Sequence, residues 1–497
     1  MISCQLKPTS RWLFRAAAIR GKKMVNDPRA GRPQTPHRGP SERSRTSSVL
    51  LLVSFACSGL AGVAKAADER APCVENRECV DWKGYGSVCV DGQCREYQDR
   101  TDLFEMVGLK QKTEAPPEPF KILPAVLPAI GYNPTNGFLI GVVGALGVYL
   151  GDPESTTISS VLATILYTSN NQFMFQSAST FMTADNDWQL QGDWRFLLFN
   201  QDTYGLGTGH TSVSSGFTLY GLGTITAVSG AQPMDFDLIR FHETALRRVW
   251  GSLYAGPGFS FDRYFAIVDR SLNLQASPPV VTSHYAYSVL EGFSTAAYTV
   301  SGLSVNVAFD NRDSTINPYR GYYANLSYLW NPTFLGSSHN SSLISGEARA
   351  YLGLSSAVPR NVIAFWVIAQ GVLTGTMPYL ALPAIGWDAR NRSGRGYVQG
   401  RLRGTAEFYA EAEWRFRITN NGVLGGVLFA NTETFSRPAV TIPQYSDPGE
   451  ALFEHFKYAG GFGLRMMLNR QSRTNWTLDF AWGDKSLGIY LGAGEVF

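Results

Sequence analysis

The residues best placed to do chemistry in this 497-residue chain lie on one stretch, Ala406 to Ile418. Glu407, Glu411 and Glu413 share its odd-numbered positions with Tyr409, and Arg415 and Arg417 continue at the same spacing. Three carboxylates and two guanidiniums on one face can pair with one another or capture a cation brought from elsewhere, but they include no nucleophile with a base beside it. Two readings of this face are open. A loop cation meets the acids, or Glu413, Arg415 and Arg417 form a ladder that compensates its own charge.

Catalytic patterns are missing from the rest of the chain. There is no Gly-x-Ser-x-Gly elbow, no His-Glu-x-x-His and no phosphate-binding glycine loop. Of only six histidines, His242 is followed by Glu243 in an expected strand and has no second ligand at helical spacing. Periodicity leaves a lipid-facing Ser/His/Asn triad open, because His242, Ser and Asn are all present. No catalytic residue, cofactor or metal ligand set is expected, and the chain is not read as an enzyme.

The other reactive group is a cysteine cluster, Cys73, Cys79, Cys89 and Cys94, in a stretch too short to bury a core of its own. Two disulfides are expected there, with all three pairings open. Zinc is the rival reading, weakened by the lack of a CxxC spacing and of nearby histidine. Disulfides need export, and the N-terminus supplies a signal for it. An uncharged apolar run, Val49 to Val63, follows Arg43 and Arg45 and ends in Ala64-Lys65-Ala66, a small-x-small cleavage site that would start the mature chain at Ala67. The basic, Pro-rich stretch before Arg45 is long for such a leader, so either the start lies at Met24 or beyond, or the leader is extended. Residues 1–66 carry 12 Lys/Arg against 2 Asp/Glu, which leaves 31 against 38 for the remainder. The part that folds is acidic, and no nucleic-acid partner is expected.

The elements that must position the acidic face are strands. In the stretch after Ala406, Phe408, Ala410, Ala412, Trp414 and Phe416 alternate with the charged residues, which is the period of a pleat. Leu303, Val305, Val307 and Phe309 repeat the pattern, as do Trp188, Leu190, Trp194, Phe196 and Leu198 opposite Gln189, Gln191, Asp193 and Arg195. A soluble sandwich would alternate too. These segments, however, run about 10 to 14 residues, against ~5–6 for ordinary strands and ~9–11 for a tilted membrane strand.

The predicted fold class is all-β, a sixteen-stranded antiparallel transmembrane β-barrel with a small N-terminal disulfide-rich module. The predicted domains are a leader with signal peptide at 1–66, the cysteine-rich module at 67–96, a Pro-rich linker at 97–120 and the barrel at 121–497. Strand candidates begin near 137–151, include one at 214–228, and end at 487–497. An even count puts both barrel ends on the periplasmic side. The short connections 469–473, 419–421 and 355–360 fall there, and the long ones 267–293, 375–404 and 435–455 fall outside.

Two stretches carry more than barrel pattern. The turn from Phe309 to Tyr322 holds Asp310, Arg312, Asp313, Asn317, Pro318 and Gly321. About 80 residues on come Gly394-Arg395-Gly396-Tyr397 and Gly400-Arg401, followed by Glu413-Trp414-Arg415-Phe416. Together they resemble the BamA/TamA outer-membrane protein family, whose barrel is also called the bacterial surface antigen domain. The resemblance implies that the sixth outer loop, here 375–404, folds into the lumen, where Arg395 at its tip, flanked by Gly396 and Tyr397, meets Glu413, with Glu411 as the substitute. The family's aspartate on the next strand is replaced, in Phe429-Ala430-Asn431. The last strand, with Gly492 and Phe497, resembles the C-terminal signal read by the barrel-assembly machinery. Phe497 is expected to face lipid, and Glu495 stands where that signal prefers an apolar residue.

Family members that insert proteins carry periplasmic POTRA domains of about 75 residues each, and residues 67–120 leave no room for one beside the cysteine module. The implied function is to help insert, translocate or display another protein or a lipid. The route would be a weak seam between the first strand, near Gly137 to Gly151, and the last, both rich in glycine. The alternative is a porin-like channel or a passive structural barrel. Expected partners are outer-membrane lipid, the barrel-assembly machinery for its own insertion, and a protein client or periplasmic partner. The expected location is the bacterial outer membrane, with the N-terminal module in the periplasm.

Overall fold

The computed structural model describes residues 87–90, 93–96, 101–108, 118–133, 135–209, 218–219, 222–354, 360–442 and 445–497. The leader, its cleavage site, Cys73 and Cys79 lie outside the described residues. Strands Ser87–Val90 and Gln93–Glu96 form an antiparallel hairpin that sets Cys89 opposite Cys94 in register. The stretch read as a linker contains one helical turn, α1 (Leu103–Met106), closed by a capping box between Asp102 and Glu105. It is docked rather than free, because Arg470 donates through its side chain to Glu105 at 3.0 Å and through its backbone to Asp102.

Alternation of apolar and polar residues becomes sixteen strands. The first four are β1 (Leu123–Asn133), β2 (Gly137–Val148), β3 (Ser159–Thr168) and β4 (Phe173–Met182). β5 (Trp188–Thr203), β6 (Gln232–Trp250), β7 (Leu253–Asp269) and β8 (Tyr298–Asp310) follow. Then come β9 (Gly321–Asn331), β10 (Ser341–Gly353), β11 (Val362–Gly375) and β12 (Ala406–Arg417). The chain ends with β13 (Leu424–Phe435), β14 (Lys457–Asn469), β15 (Thr474–Gly483) and β16 (Ser486–Ala493). All pair in chain order as one antiparallel sheet running from β1 to β16. The long connections 204–231, 270–297, 376–405 and 436–456 share one end of the sheet, and short turns share the other end with the C-terminus.

One face of the sheet is apolar and exposed, with Phe138, Ile165, Trp194, Leu326, Phe462 and Leu464 among its residues. The other face is buried and carries Arg195, Glu411, Glu413, Arg465 and Asp479. β1 and β16 approach each other at the ends of the sheet, yet no ladder joins them among the described residues. A Cβ placed on Gly131 of β1 would lie 3.7 Å from the Cβ of Leu491.

Two strand assignments differ from those expected. The described residues of 214–228 are not part of the sheet. Within that stretch Gly223–Thr224 pairs with Thr218–Leu219, and Thr226–Ala227 runs parallel to Val280–Val281, just before helix α2 (Ser283–Glu291). The first strand is instead β1, which Pro124 and Pro128 hid from a reading of periodicity. Proline cannot donate to a ladder and is confined to edges, and among the described residues β1 is an edge that pairs with β2 alone. The strand beginning near Gly137 is therefore one step inside the seam, and the seam's first strand is proline-bearing rather than glycine-rich.

Candidate functional site

The connection between β11 and β12, residues 376–405, lies against the inner face of the sheet. Its two limbs pair through Ile385 N–H to Leu402 O at 3.0 Å and Gly400 N–H to Ile385 O at 2.9 Å. Arg403, fully buried, ties the base by donating to the carbonyls of Tyr379, Leu380 and Leu382 at 3.0, 2.8 and 3.2 Å. At the tip, Gly394 and Gly396 take φ of +71° and +107°, which L side chains avoid, and Tyr397 N–H closes the turn on Gly394 O at 3.0 Å. A Cβ on Gly396 would also press on Ala459 and on the backbone of Trp482 and Gly483. Tyr397 reaches across to β14, donating its hydroxyl to Tyr458 O at 2.7 Å.

This turn holds Arg395 in a network of buried charge. Its guanidinium pairs with Glu411 and Glu413 of β12 and, at 2.8 Å, with Asp479 of β15, and lies 3.5 Å over the Phe429 ring. Glu413 is shared with Arg415 at 2.6 Å, and Asp479 with Arg465 at 2.5 Å. Glu411 also accepts from the Tyr409 hydroxyl at 2.6 Å. The family's second acid is thus supplied by Asp479, two strands beyond Asn431, whose amide donates instead to Arg395 O at 3.0 Å. The loop lock and the compensating pair were posed as alternatives. Glu413 engages Arg395 and Arg415 together.

A second anchor had not been anticipated. On β5, seven strands from β12, Arg195 is held bidentate by Asp193 at 2.7 Å and donates to Asn391 Oδ1 at 2.5 Å and Asp388 O at 2.6 Å. Asn391 in turn donates to Gln176 of β4 at 2.7 Å. The loop therefore joins β4 and β5 to β12 and β15. The Asp193–Arg195 pair on one strand face was a visible signal, but nothing in the pattern named its loop partners.

The turn between β8 and β9 closes the opposite end. Asp310 takes a two-pronged contact from Arg312 at 2.9 and 2.7 Å and another from Gln189 at 2.9 Å. Asp313 accepts the amides of Tyr319 and Arg320 at 3.0 and 3.2 Å and the Arg473 guanidinium at 2.6 Å. Asn317 donates to Arg473 O at 3.3 Å, and Thr315 to Ile158 O at 2.7 Å, so the turn spans from the β2–β3 connection to the β14–β15 turn. Pro318 lies between Asn317 and Tyr319 in this span. Gly321 has φ of +102°, where a Cβ would strike the backbone of Asn311 and Arg312. Loop and turn meet where Arg390 donates to Thr315 O at 3.2 Å.

The C-terminus corrects one expectation. Phe497 does not face outward; it is buried, stacked on Trp366 at 5.2 Å and near Tyr351 at 6.2 Å, with Arg415 5.0 Å over its ring. β16 ends at Ala493 and Gly494 turns with φ of +79°, which takes the last residues off the sheet and inward. This accounts for Glu495, which meets Arg465 at 2.8 Å and Asn475 at 2.5 Å. Burial alone would raise its carboxyl, but Arg465, Arg415 and the Asn475 amide hold it down at about 2. Gly492 remains in β16, where a Cβ would overlap the Arg392 guanidinium. His242 points inward and pairs with Asp262 at 3.0 Å, away from the exposed face that a lipid-facing triad would need.

Comparison with known proteins follows this geometry. The Omp85 superfamily domain matches residues 185–497. Among solved structures, BamA from Haemophilus ducreyi lacking POTRA domains 1-3 is similar at 14% identity, covering 75% of this chain and 70% of that one, with a TM-score of 0.42. CdiB from Escherichia coli is 10% identical over 77% of this chain and 63% of its own, with a TM-score of 0.42. CdiB from Acinetobacter baumannii is 11% identical over 75% and 59%, with a TM-score of 0.40. This chain spans less than two thirds of either CdiB. No curated protein matches by sequence. The matched domain covers more than half of the chain and takes in the 311–320 turn, the inward loop with its acidic wall, and the closing strand: the chain belongs to the Omp85 superfamily of outer-membrane β-barrel proteins.

Proposed function

We propose that the sheet closes as a transmembrane barrel in the outer membrane and that the protein helps a client, protein or lipid, to insert, cross or be displayed by parting the seam between β1 and β16. One observation carries this reading: every other neighbouring pair of strands is joined by a ladder, and this pair is not. Pro124 and Pro128 remove two donors from the edge of β1, and the chain turns away from β16 after Ala493, so few main-chain bonds oppose separation. In this reading the end bearing the C-terminus faces the periplasm, together with the cysteine hairpin and α1. The alternative of an open channel is opposed by the Arg390–Thr315 contact, where loop and turn meet between the walls.

The test uses the short Gly131–Leu491 approach. A Cβ separation of 3.7 Å suits a disulfide, so Gly131→Cys with Leu491→Cys should crosslink on oxidation. In liposomes, the reduced protein should speed the folding of a denatured outer-membrane barrel client, and oxidation should remove that effect. Equal assistance by oxidised and reduced protein would rule out the seam as the route.

A further inference from the structure

β1, β2, β3 and β4 contain no Asp, Glu, Lys or Arg. All four lie ahead of the residues matched by the family domain. The loop segment around 388–394 lies over their inner face and borders a half-open cavity of ≈ 160 Å³. Leu139, Val143, Leu162 and Leu166 line it on the strand side, and Arg390 and Arg392 on the loop side. Gly131 and Leu491, from the two strands of the seam, complete its wall.

Those two arginines, like Arg403 at the base of the loop, differ from most on the inner face. Arg195, Arg240, Arg312, Arg349, Arg395, Arg415 and Arg465 each pair with a carboxylate. Arg390 donates only to backbone oxygens, Thr315 O at 3.2 Å and Glu495 O at 3.4 Å. Burial, with Arg349 and Arg312 nearby, lowers it to about 10. Arg392 packs on Gly492, and two acids act on it from a distance: Asp479, already engaged by Arg395 and Arg465, and Asp388, whose carboxylate accepts the amides of Arg390, Arg392 and Ser393. Among the described residues neither forms an ion pair. Half-buried cations with no ion-pair partner, set against an apolar wall, invite an anion that brings a hydrocarbon part.

We propose that this cavity binds a single-chain anionic amphiphile, with its carboxylate or phosphate head on Arg390 and Arg392 and its chain along Leu139, Val143, Leu162 and Leu166. An apolar cavity of ~150 Å³ takes up benzene, so this one holds the head and a short stretch of chain. The rest of the chain leaves between Gly131 and Leu491. The site stands on the cavity and its two arginines alone, whereas entry of the chain from the bilayer rests on the barrel reading above.

The test is a thermal-unfolding series on the full chain in phosphatidylcholine nanodiscs. Decanoate should raise the unfolding midpoint, while decanol and acetate, each lacking one half of the ligand, should need at least tenfold higher concentration. Arg390→Gln with Arg392→Gln should abolish the decanoate response, read as the shift from that variant's own ligand-free midpoint. Leu162→Trp, which fills the apolar half and leaves both arginines, should abolish it as well. Equal stabilisation by decanoate and decanol, or a response that survives in both variants, would overturn the site. Competition by lysophosphatidylglycerol would support the site with a membrane lipid as its source, and decanoate binding without such competition would support it with a free fatty acid. Decanoate stabilisation of a protein that gives no help to client folding would leave this site standing without the proposed function, and client folding without decanoate stabilisation would do the reverse.

Discussion

Replacing Arg395 with alanine should free the loop tip while leaving the sheet folded. The guanidinium is 1% exposed and belongs to a network of Arg395, Arg415 and Arg465 with Glu411, Glu413, Asp479 and Glu495. That network is one negative charge in excess, and the substitution makes it two. Removing one partner of a buried pair costs about 3–5 kcal/mol. The lower end applies, because Glu413 keeps Arg415 and Asp479 keeps Arg465, and only Glu411 loses its sole guanidinium partner. About 3 kcal/mol is roughly a hundredfold in the docking equilibrium. Cleavage follows the population of the open state when opening is fast, and the loop carries tryptic sites at Arg390, Arg392, Arg401 and Arg403. Limited trypsin digestion in liposomes should therefore cut the Arg395→Ala loop on the order of a hundred times faster than the parent loop, with strand content by circular dichroism unchanged. Arg395→Lys keeps the charge without the fork and should fall between the two. Equal cleavage rates for Arg395→Ala and parent would refute the idea that this network holds the loop.

Other outcomes follow from the same geometry. Gly396→Ala puts a Cβ against Ala459 at a φ of +107° and should expose the loop to trypsin as Arg395→Ala does. Phe497→Ala should cost about 3 kcal/mol in denaturant unfolding of protein refolded in vitro, where no assembly machinery acts; a defect seen only in cells would leave Phe497 as a signal without a packing role. Glu495→Gln tests a pH window. Its folded-state carboxyl is held at about 2, so its contribution, of order 3 kcal/mol, is present above the ordinary value near 4.5 and is lost as pH falls towards 2. The gap in unfolding midpoint between parent and Glu495→Gln should narrow over that range.

Which way strands such as β12 face was legible from residues alone, because a period of two leaves Glu411 and Glu413 on one side and Trp414 and Phe416 on the other. Partners across the interior were not. Alternation states which side Arg195 faces but not that Asp388 and Asn391 arrive from nearly 200 residues away. The missing family aspartate at Asn431 read as a lost contact, and Asp479 supplies one from two strands on. β1 was obscured by Pro124 and Pro128, residues that argue against an interior strand and say little about an edge. Phe497 followed the parity of a strand that had already ended at Ala493, and one left-handed glycine, Gly494, sends it the other way. The uncharged run of β1 to β4 was readable as composition, but its meaning depends on Arg390 and Arg392 from a distant loop.

Single-channel conductance in planar bilayers tests the locked interior most directly. Two anchors hold the loop, one on β12 and β15 through Arg395 and one on β5 through Arg195. The account predicts a closed or flickering parent, longer openings for Arg395→Ala, and a steady open pore when Arg195→Ala is added. A large, steady conductance in the parent, unchanged by either substitution, would contradict the lock and leave a porin-like channel.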